Sequence, residues 1–320
     1  MHNFVPNNLS SLSEKELMAY YDNPYNFPLG DCREIAEELD EFPSHVMCFL
    51  THGVFSVNSE IRRKVEETVG GTKKQVNRLL RNYSDWATTK IMKRSGIPKS
   101  HIIRPDTPRL VGDPARAHYE GGHLYEEFIR GTDFNEQKLL ENPSEYRDIG
   151  QKSAQKFHHN ITQNLVNIEN VYGGSIGFDV HDSGNIKMHI NPKLDSFRLG
   201  GLPPVILGTR DGAACNPEIL DYFAERIEYY LGIKAHKNVK YKGGYVTKKH
   251  GEDYRKNLEQ KGENPGKRNI IQIELARYLY MQESTQKLDW HRVDMISAGL
   301  KLAMIDTGNK FGKEYFEGLQ

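Results

Sequence analysis

Apolar residues recur along the chain in two rhythms. Strand-length stretches stand at 46–51 (VMCFLT), 175–184 (SIGFDVHDSG), 204–207 and 270–273 (IIQI). In the second of these Ile176, Phe178 and Val180 alternate with Gly177 and Asp179, the period of a pleated strand. Helical spacing predicts helices over 31–39, 60–68, 72–81, 145–166, 217–231 and 289–312, and over a stretch that opens at Ser84 or Asp85 as N-cap and ends near Arg94. Shorter strand-like pieces at 101–104 and 110–111 flank Pro105 and Pro108, and 275–281 reads as the start of a helix. Strands that alternate with helices predict an α/β fold: a mixed, largely parallel central sheet flanked by helices.

Three of the strand-like runs end on polar chemistry. The first delivers His52 and Gly53, the second His181, Asp182, Ser183 and Gly184, and IIQI delivers Glu274. Open α/β sheets place ligands at the carboxyl ends of their strands. Two histidines and a glutamate at three such ends suggest a metal hydrolase site. Imidazole is the commonest zinc ligand, and a catalytic site uses three protein ligands plus an open position. The third ligand is then Asp85, Glu60, Asp179 or Asp182. The plainer alternative is that each histidine is a satisfied strand-end residue.

Glu274 has two readings, a general base or a carboxylate at a helix N-terminus. Arg109 and Arg116 suit a carboxylate clamp or an oxyanion partner, and equally suit surface ion pairs. Lys242-Gly-Gly-Tyr245 reads either as a backbone nest with a phenol donor or as a simple turn. Residues 173–177 match G-x-S-x-G, but the serine precedes a strand instead of linking a strand to a helix, which removes the serine-hydrolase reading.

Composition narrows the class. The 320 residues carry 43 Lys+Arg against 43 Asp+Glu, which argues against nucleic acid or an acidic membrane surface as partner. Three cysteines, Cys32, Cys48 and Cys215, without close spacing, speak against a disulfide scaffold or a zinc knuckle. No apolar run reaches the roughly 18 residues of a membrane span, and the N-terminus lacks the pattern of a signal peptide. A reduced, cytoplasmic protein is the expectation. Residues 1–45 read as a helical N-terminal extension and 46–320 as one α/β domain. Its segments 117–130 (Tyr-, Glu- and His-rich, a loop or lid) and 248–268 (charged, solvated and mobile) look like insertions, and 185–190 like a hairpin return.

Taken in order from about residue 46 to 283, these segments resemble the N-formylglutamate amidohydrolase family, relatives of the zinc carboxypeptidases. The likeness is strongest where LGTRDGAACNP is followed by YKGGYVTKKHG and then IIQIELARYLYMQE. It implies a phosphorylase/hydrolase-like fold related to the zinc carboxypeptidases, with Zn2+ held by His52, Asp85 (of YSDW) and His181 (of DVHDS). It also implies Glu274 as general base and Arg109 as a catalytic cation. Substrate binding falls to Arg116 and Asp113 of PRLVGDPAR, to His158 after Phe157, and to Thr209, Lys242 and Tyr245. Departures are Thr51 where proline is usual, Ala87 after the tryptophan, and Asp182 inserted before Ser183. The implied reaction is hydrolysis of an N-acyl amide of an amino acid, with N-formylglutamate one substrate among several. A carboxypeptidase-like peptidase and a non-catalytic binding protein are the alternatives.

Overall fold

A computed structural model of the chain describes residues 29–39, 41–116, 138–184, 203–282 and 285–319. The expected lid at 118–128, the hairpin return at 185–190 and most of the N-terminal extension lie outside the described residues.

In chain order the elements are α1 (Arg33–Glu38), β1 (Val46–Phe49), α2 (Ser59–Val69), α3 (Lys73–Asn82), α4 (Trp86–Arg94) and β2 (Ile102–Ile103). Then come α5 (Arg147–Tyr172), β3 (Ser175–Ser183), β4 (Val205–Gly208), α6 (Pro217–Leu231) and β5 (Ala235–Lys237). A helical turn, α7 (Tyr245–Thr247), runs through a π-helical turn at Lys248–Glu252 into α8 (Asp253–Gln260). The chain closes with β6 (Arg268–Ala276), β7 (Met281–Gln282), β8 (Lys287–Leu288), α9 (Trp290–Lys310) and α10 (Lys313–Gly318).

Six strands form one sheet in the order β2-β1-β3-β6-β4-β5. The β1–β2, β1–β3, β3–β6 and β4–β5 pairs are parallel, and β4 runs antiparallel to β6. The sheet is therefore mixed and largely parallel, as the alternation of elements predicts. Period-two alternation divides each central strand between two layers. Ile176, Phe178 and Val180 of β3 join Ile271, Ile273 and Leu275 of β6 in a core that takes in Phe223 and Ile227 of α6 and Ile296 and Leu300 of α9. On the other face Phe49 and Ile270 pack with Phe157, Ile161 and Leu165 of α5. Each such fully buried side chain contributes about 1.5–3 kcal/mol. Toward the carboxyl ends of the strands this second face changes character and presents Asp179, His181 and Ser183 of β3 beside Gln272 and Glu274 of β6.

Several local expectations are corrected. β6 does not stop at Ile273 and no helix starts at 275. The ladder to β3 runs on through Leu275 and Ala276, and a single tight turn, Arg277–Leu279, follows. Ladder hydrogen bonds and the burial of Leu275 outweigh the helix-like spacing of Leu275, Tyr278 and Leu279. Residues 110–111 form a buried turn, not a strand, packed with Ile61, Val65 and Tyr146. The 248–268 segment is folded and not solvated throughout: His250, Leu258 and Arg268 are buried, and Arg268 makes a two-pronged pair with Glu169 at 2.5 and 2.7 Å. The three cysteines are buried and unpaired. Among the described residues no helix is long and apolar enough to cross a membrane.

The turn at 108–116 is held by a close approach of α5. A Cβ on Gly150 would stand 2.3 Å from the carbonyl oxygen of Val111. Because the obstacle is backbone, Gly150→Ala is expected to cost about 1–3 kcal/mol of stability, partly offset by alanine's better helix propensity. Urea denaturation of the two proteins measures the difference.

Candidate functional site

His52 sits in the turn that follows β1, His181 inside β3 directly opposite Glu274 of β6, and Asp85 at the N-cap of α4. The parallel order β1-β3-β6 brings His52, His181 and Glu274 side by side. Asp85 was expected as a possible helix cap, yet its carboxylate caps no helix amide. Its backbone N–H donates instead to His52 O at 3.0 Å, which draws the two residues together. The carboxylate turns inward: Asp85 Oδ2 lies 2.8 Å from His181 Nδ1 and 3.2 Å from His52 Nδ1. One ligand atom from each of His52, Asp85 and His181 lies within 4.8 Å of the others, and all three residues are buried. Glu60, another of the candidate third ligands, is exposed on α2 and outside this cluster.

The far nitrogens of both imidazoles also meet carboxylates. His52 Nε2 lies 2.6 Å from Asp113 Oδ1, and His181 Nε2 lies 3.0 Å from Asp179 Oδ2. A neutral imidazole has one N–H, so it can satisfy one carboxylate and must present a lone pair to the other. Two buried imidazoles, each set among carboxylates, therefore call for positive charge at the shared point by Asp85, whether from a proton or from a bound cation. A small divalent cation held by His52, Asp85 and His181 would supply that charge. It would leave Nε2–H of His52 to donate to Asp113, a carboxylate–histidine arrangement that surrounds metal ligands, with Nε2 of His181 facing Asp179. The residues fit such an ion.

Electrostatics point the same way. Burial alone would raise the Asp85 carboxyl, but the two histidines hold it well below the ordinary range. Burial would lower His181, but Asp179, Asp85 and Glu274 outweigh it and raise the ring well above its ordinary value. Both shifts describe a pocket that favours positive charge between Asp85 and the rings.

Glu274 is buried and is pushed upward by that burial, against the pull of His181. Both its oxygens accept hydrogen bonds, Oε1 from Gln272 Nε2 at 2.7 Å and Oε2 from Ser183 Oγ at 2.6 Å. Gln272 is in turn oriented by the backbone N–H of Gly244, which donates to its Oε1 at 2.5 Å. Strand alternation places Gln272 and Glu274 on one face, a signal present in the sequence that its reading did not use.

The arginines divide. Arg109 is partly buried, donates from Nε to Asp113 Oδ2 at 2.7 Å and lies over the ring of Tyr83. Arg116 is half-buried in the same turn and helps hold Asp113 ionised. Four other expected substrate residues are each engaged with protein groups. Thr209 is buried, its backbone N–H donating to Asn238 Oδ1 at 2.7 Å. Lys242 pairs with Asp211 at 2.9 Å. Tyr245 lies edge-on to His158. His158 Nε2 meets Pro114 O at 3.0 Å while its Nδ1 meets His250 Nε2 at 2.9 Å. The segments carrying Thr209 and Lys242 are joined directly, since Arg210 N donates to Lys242 O at 2.5 Å.

The sequence profile of the N-formylglutamate amidohydrolase family matches residues 59–281. The chain belongs to this family. His52 lies just before the matched range, and Asp85, His181 and Glu274 lie within it. An N-formylglutamate deformylase of Pseudomonas putida is 25% identical over 167 residues, 52% of each chain. One from Pseudomonas aeruginosa is 29% identical over 130 residues, 40% of this chain and 41% of that one. The similarity thus spans about half the length of these relatives or less. Among solved structures, an N-formylglutamate amidohydrolase from Ralstonia eutropha superposes with a TM-score of 0.64 at 17% identity, covering 88% of this chain and 96% of its own. A gene product of Agrobacterium tumefaciens superposes at 0.51 and 12% identity, covering 90% and 96%. These two likenesses show that the same fold extends over most of the chain.

Proposed function

We propose that the protein is a zinc-dependent amidohydrolase that removes the acyl group, formyl first among candidates, from an N-acyl amino acid such as N-formylglutamate. The observation that carries this is the buried His52–Asp85–His181 cluster, with both rings backed by further carboxylates and Glu274 paired opposite His181. Family membership and the names of the Pseudomonas relatives support the choice of amide and amino acid. Two imidazoles and a carboxylate suit Zn2+. When bound there, such an ion supplies a Lewis acid that polarises the acyl carbonyl and acidifies water.

The chain's own groups do the rest. Glu274 takes a proton from the attacking water and delivers it to the departing amine nitrogen, so that amide plus water gives a carboxylic acid and a free amine. Ser183 and Gln272 hold its two oxygens so that the carboxylate faces the cluster. Arg109 and Arg116 supply the positive charge next to the tetrahedral oxyanion and the carboxylate of the substrate. Asp113 orients His52 through Nε2 and anchors Arg109 at the same time. His158, Thr209, Lys242 and Tyr245 shape the surrounding wall.

Turnover of a panel of N-formyl, N-acetyl and dipeptide substrates, with and without zinc, tests the reading. Release of formate from N-formylglutamate, lost on chelation and restored by zinc, is the expected result. Preference for peptides would move the assignment to a peptidase, and inertness toward the whole panel would remove the enzymatic reading. Asp113→Asn is expected to weaken zinc binding about 10–100-fold, the usual effect of losing an outer carboxylate. Isothermal titration of the metal-free protein measures it.

A further inference from the structure

Asp85 turns one oxygen, Oδ2, to both histidines, and its other oxygen lies against a buried cation. Arg277 Nη2 stands 3.8 Å from Asp85 Oδ1 and donates to the carbonyl of Ser84, the preceding residue, at 2.8 Å. The Nε edge of the same guanidinium donates to Oδ1 of Asp182, the neighbour of His181 on β3. The planar fork thus ties the Ser84–Asp85 turn to β3 at the two points where the cluster needs alignment. Both members of the Arg277–Asp182 pair are buried, and neither takes part in the chemistry above. Ion pairs of this kind gain little over apolar residues of the same size, so stability alone is a weak reason to keep one. The outer partners of His52 and His181 are Asp113 and Asp179, and Arg277 stands in the corresponding place behind Asp85.

We infer that Arg277, anchored by Asp182, is a positioning residue that holds the Oδ1 edge of Asp85 and so leaves Oδ2 aimed at the cation. This rests on the reading of His52, Asp85 and His181 as ligands. A lysine cannot replace the fork, because one ammonium cannot span Ser84 O and Asp182 Oδ1 in the same geometry.

The test measures zinc affinity of the full chain by chelator competition. It compares the native sequence with Arg277→Lys, the double change Arg277→Met with Asp182→Asn, and Asp85→Ala. Metal-free melting curves and the absorption spectrum of the Co2+-loaded protein are recorded alongside. The double change removes both buried charges, so no lone ion is left without a partner. Arg277→Lys and the double variant are expected to bind zinc about 10–100-fold more weakly. The cobalt spectrum of Arg277→Lys should shift as Asp85 changes its approach, an effect that a purely structural pair would not produce. Native zinc affinity and an unshifted cobalt spectrum in Arg277→Lys overturn the assignment, and that variant decides the matter if the double one does not fold. If Asp85→Ala itself keeps native affinity, the cation reading fails. If Asp85→Ala loses zinc while both Arg277 variants keep it, only the role of Arg277 fails.

Discussion

Glu274→Gln is expected to keep its zinc and lose about 10²–10⁴ in kcat on N-formylglutamate. Glutamine is nearly isosteric, so the Ser183 and Gln272 contacts have a partner of similar shape, and the fold should be preserved. What it lacks is the basic carboxylate oxygen that takes a proton from water. The loss should therefore fall on kcat with little change in KM, the pattern of an interaction made in the transition state. The pH profile supplies a second check. Burial pushes the Glu274 carboxyl above its ordinary value of 4.5. Activity needs the ionised form and is lost as pH falls through that raised value. The acid limb of kcat/KM should accordingly lie above 4.5 in the native protein and change shape in Glu274→Gln. A variant with native turnover would dismiss Glu274 as the base.

Asp85→Ala should have the other large effect, through the metal. The alanine leaves two buried imidazoles facing each other, ring centroids 5.0 Å apart, without the anion between them. It also removes one of the three proposed ligands. Zinc affinity should fall by more than the roughly 10–100-fold expected for an outer partner such as Asp113, and turnover should drop to background. Metal analysis after dialysis against a weak chelator separates the outcomes. Less than stoichiometric zinc in Asp85→Ala beside full zinc in Glu274→Gln would assign the two carboxylates to different tasks, one to the ion and one to the proton. Stoichiometric, tightly held zinc in Asp85→Ala would show that the ion sits elsewhere. The two variants must be compared at equal folded fraction, because Asp85 also faces the buried Arg277 and its removal leaves that cation less compensated.

Much of the architecture was legible in residue order alone. Alternation in SIGFDVHDSG marks one apolar face and one bearing Asp179, His181 and Ser183, and both faces are found as the pleat requires. Helices 217–231 and 289–312 announce themselves by an apolar stripe and a stop signal, and they appear at nearly those limits. Such features are local: they depend on which neighbours stand two, three or four positions away. The motifs of the family resemblance likewise named His52, Asp85, His181 and Glu274 as a set. The failures were those of local patterns with two meanings, as at 275–281, where helix spacing and a strand followed by a tight turn look alike until the partner strand is known.

What residue order left open was pairing through space. By residue type and position alone Asp85, Glu60, Asp179 and Asp182 were all candidates, and only the family resemblance singled out Asp85. The parallel β1–β3 pair brought the two imidazoles together, and the backbone bond from Asp85 to His52 set Asp85 between them. Asp179 came to face the other nitrogen of His181, and Asp182 turned toward Arg277. The charged segment 248–268 read as solvent-exposed because its composition is polar. Glu169, nearly a hundred residues earlier, provides the buried partner that folds Arg268 inward. Amphipathic pattern is a property of one stretch of chain and can be read from it. A charge is stabilised by whatever faces it, and that is a property of two stretches which only the closed fold brings together.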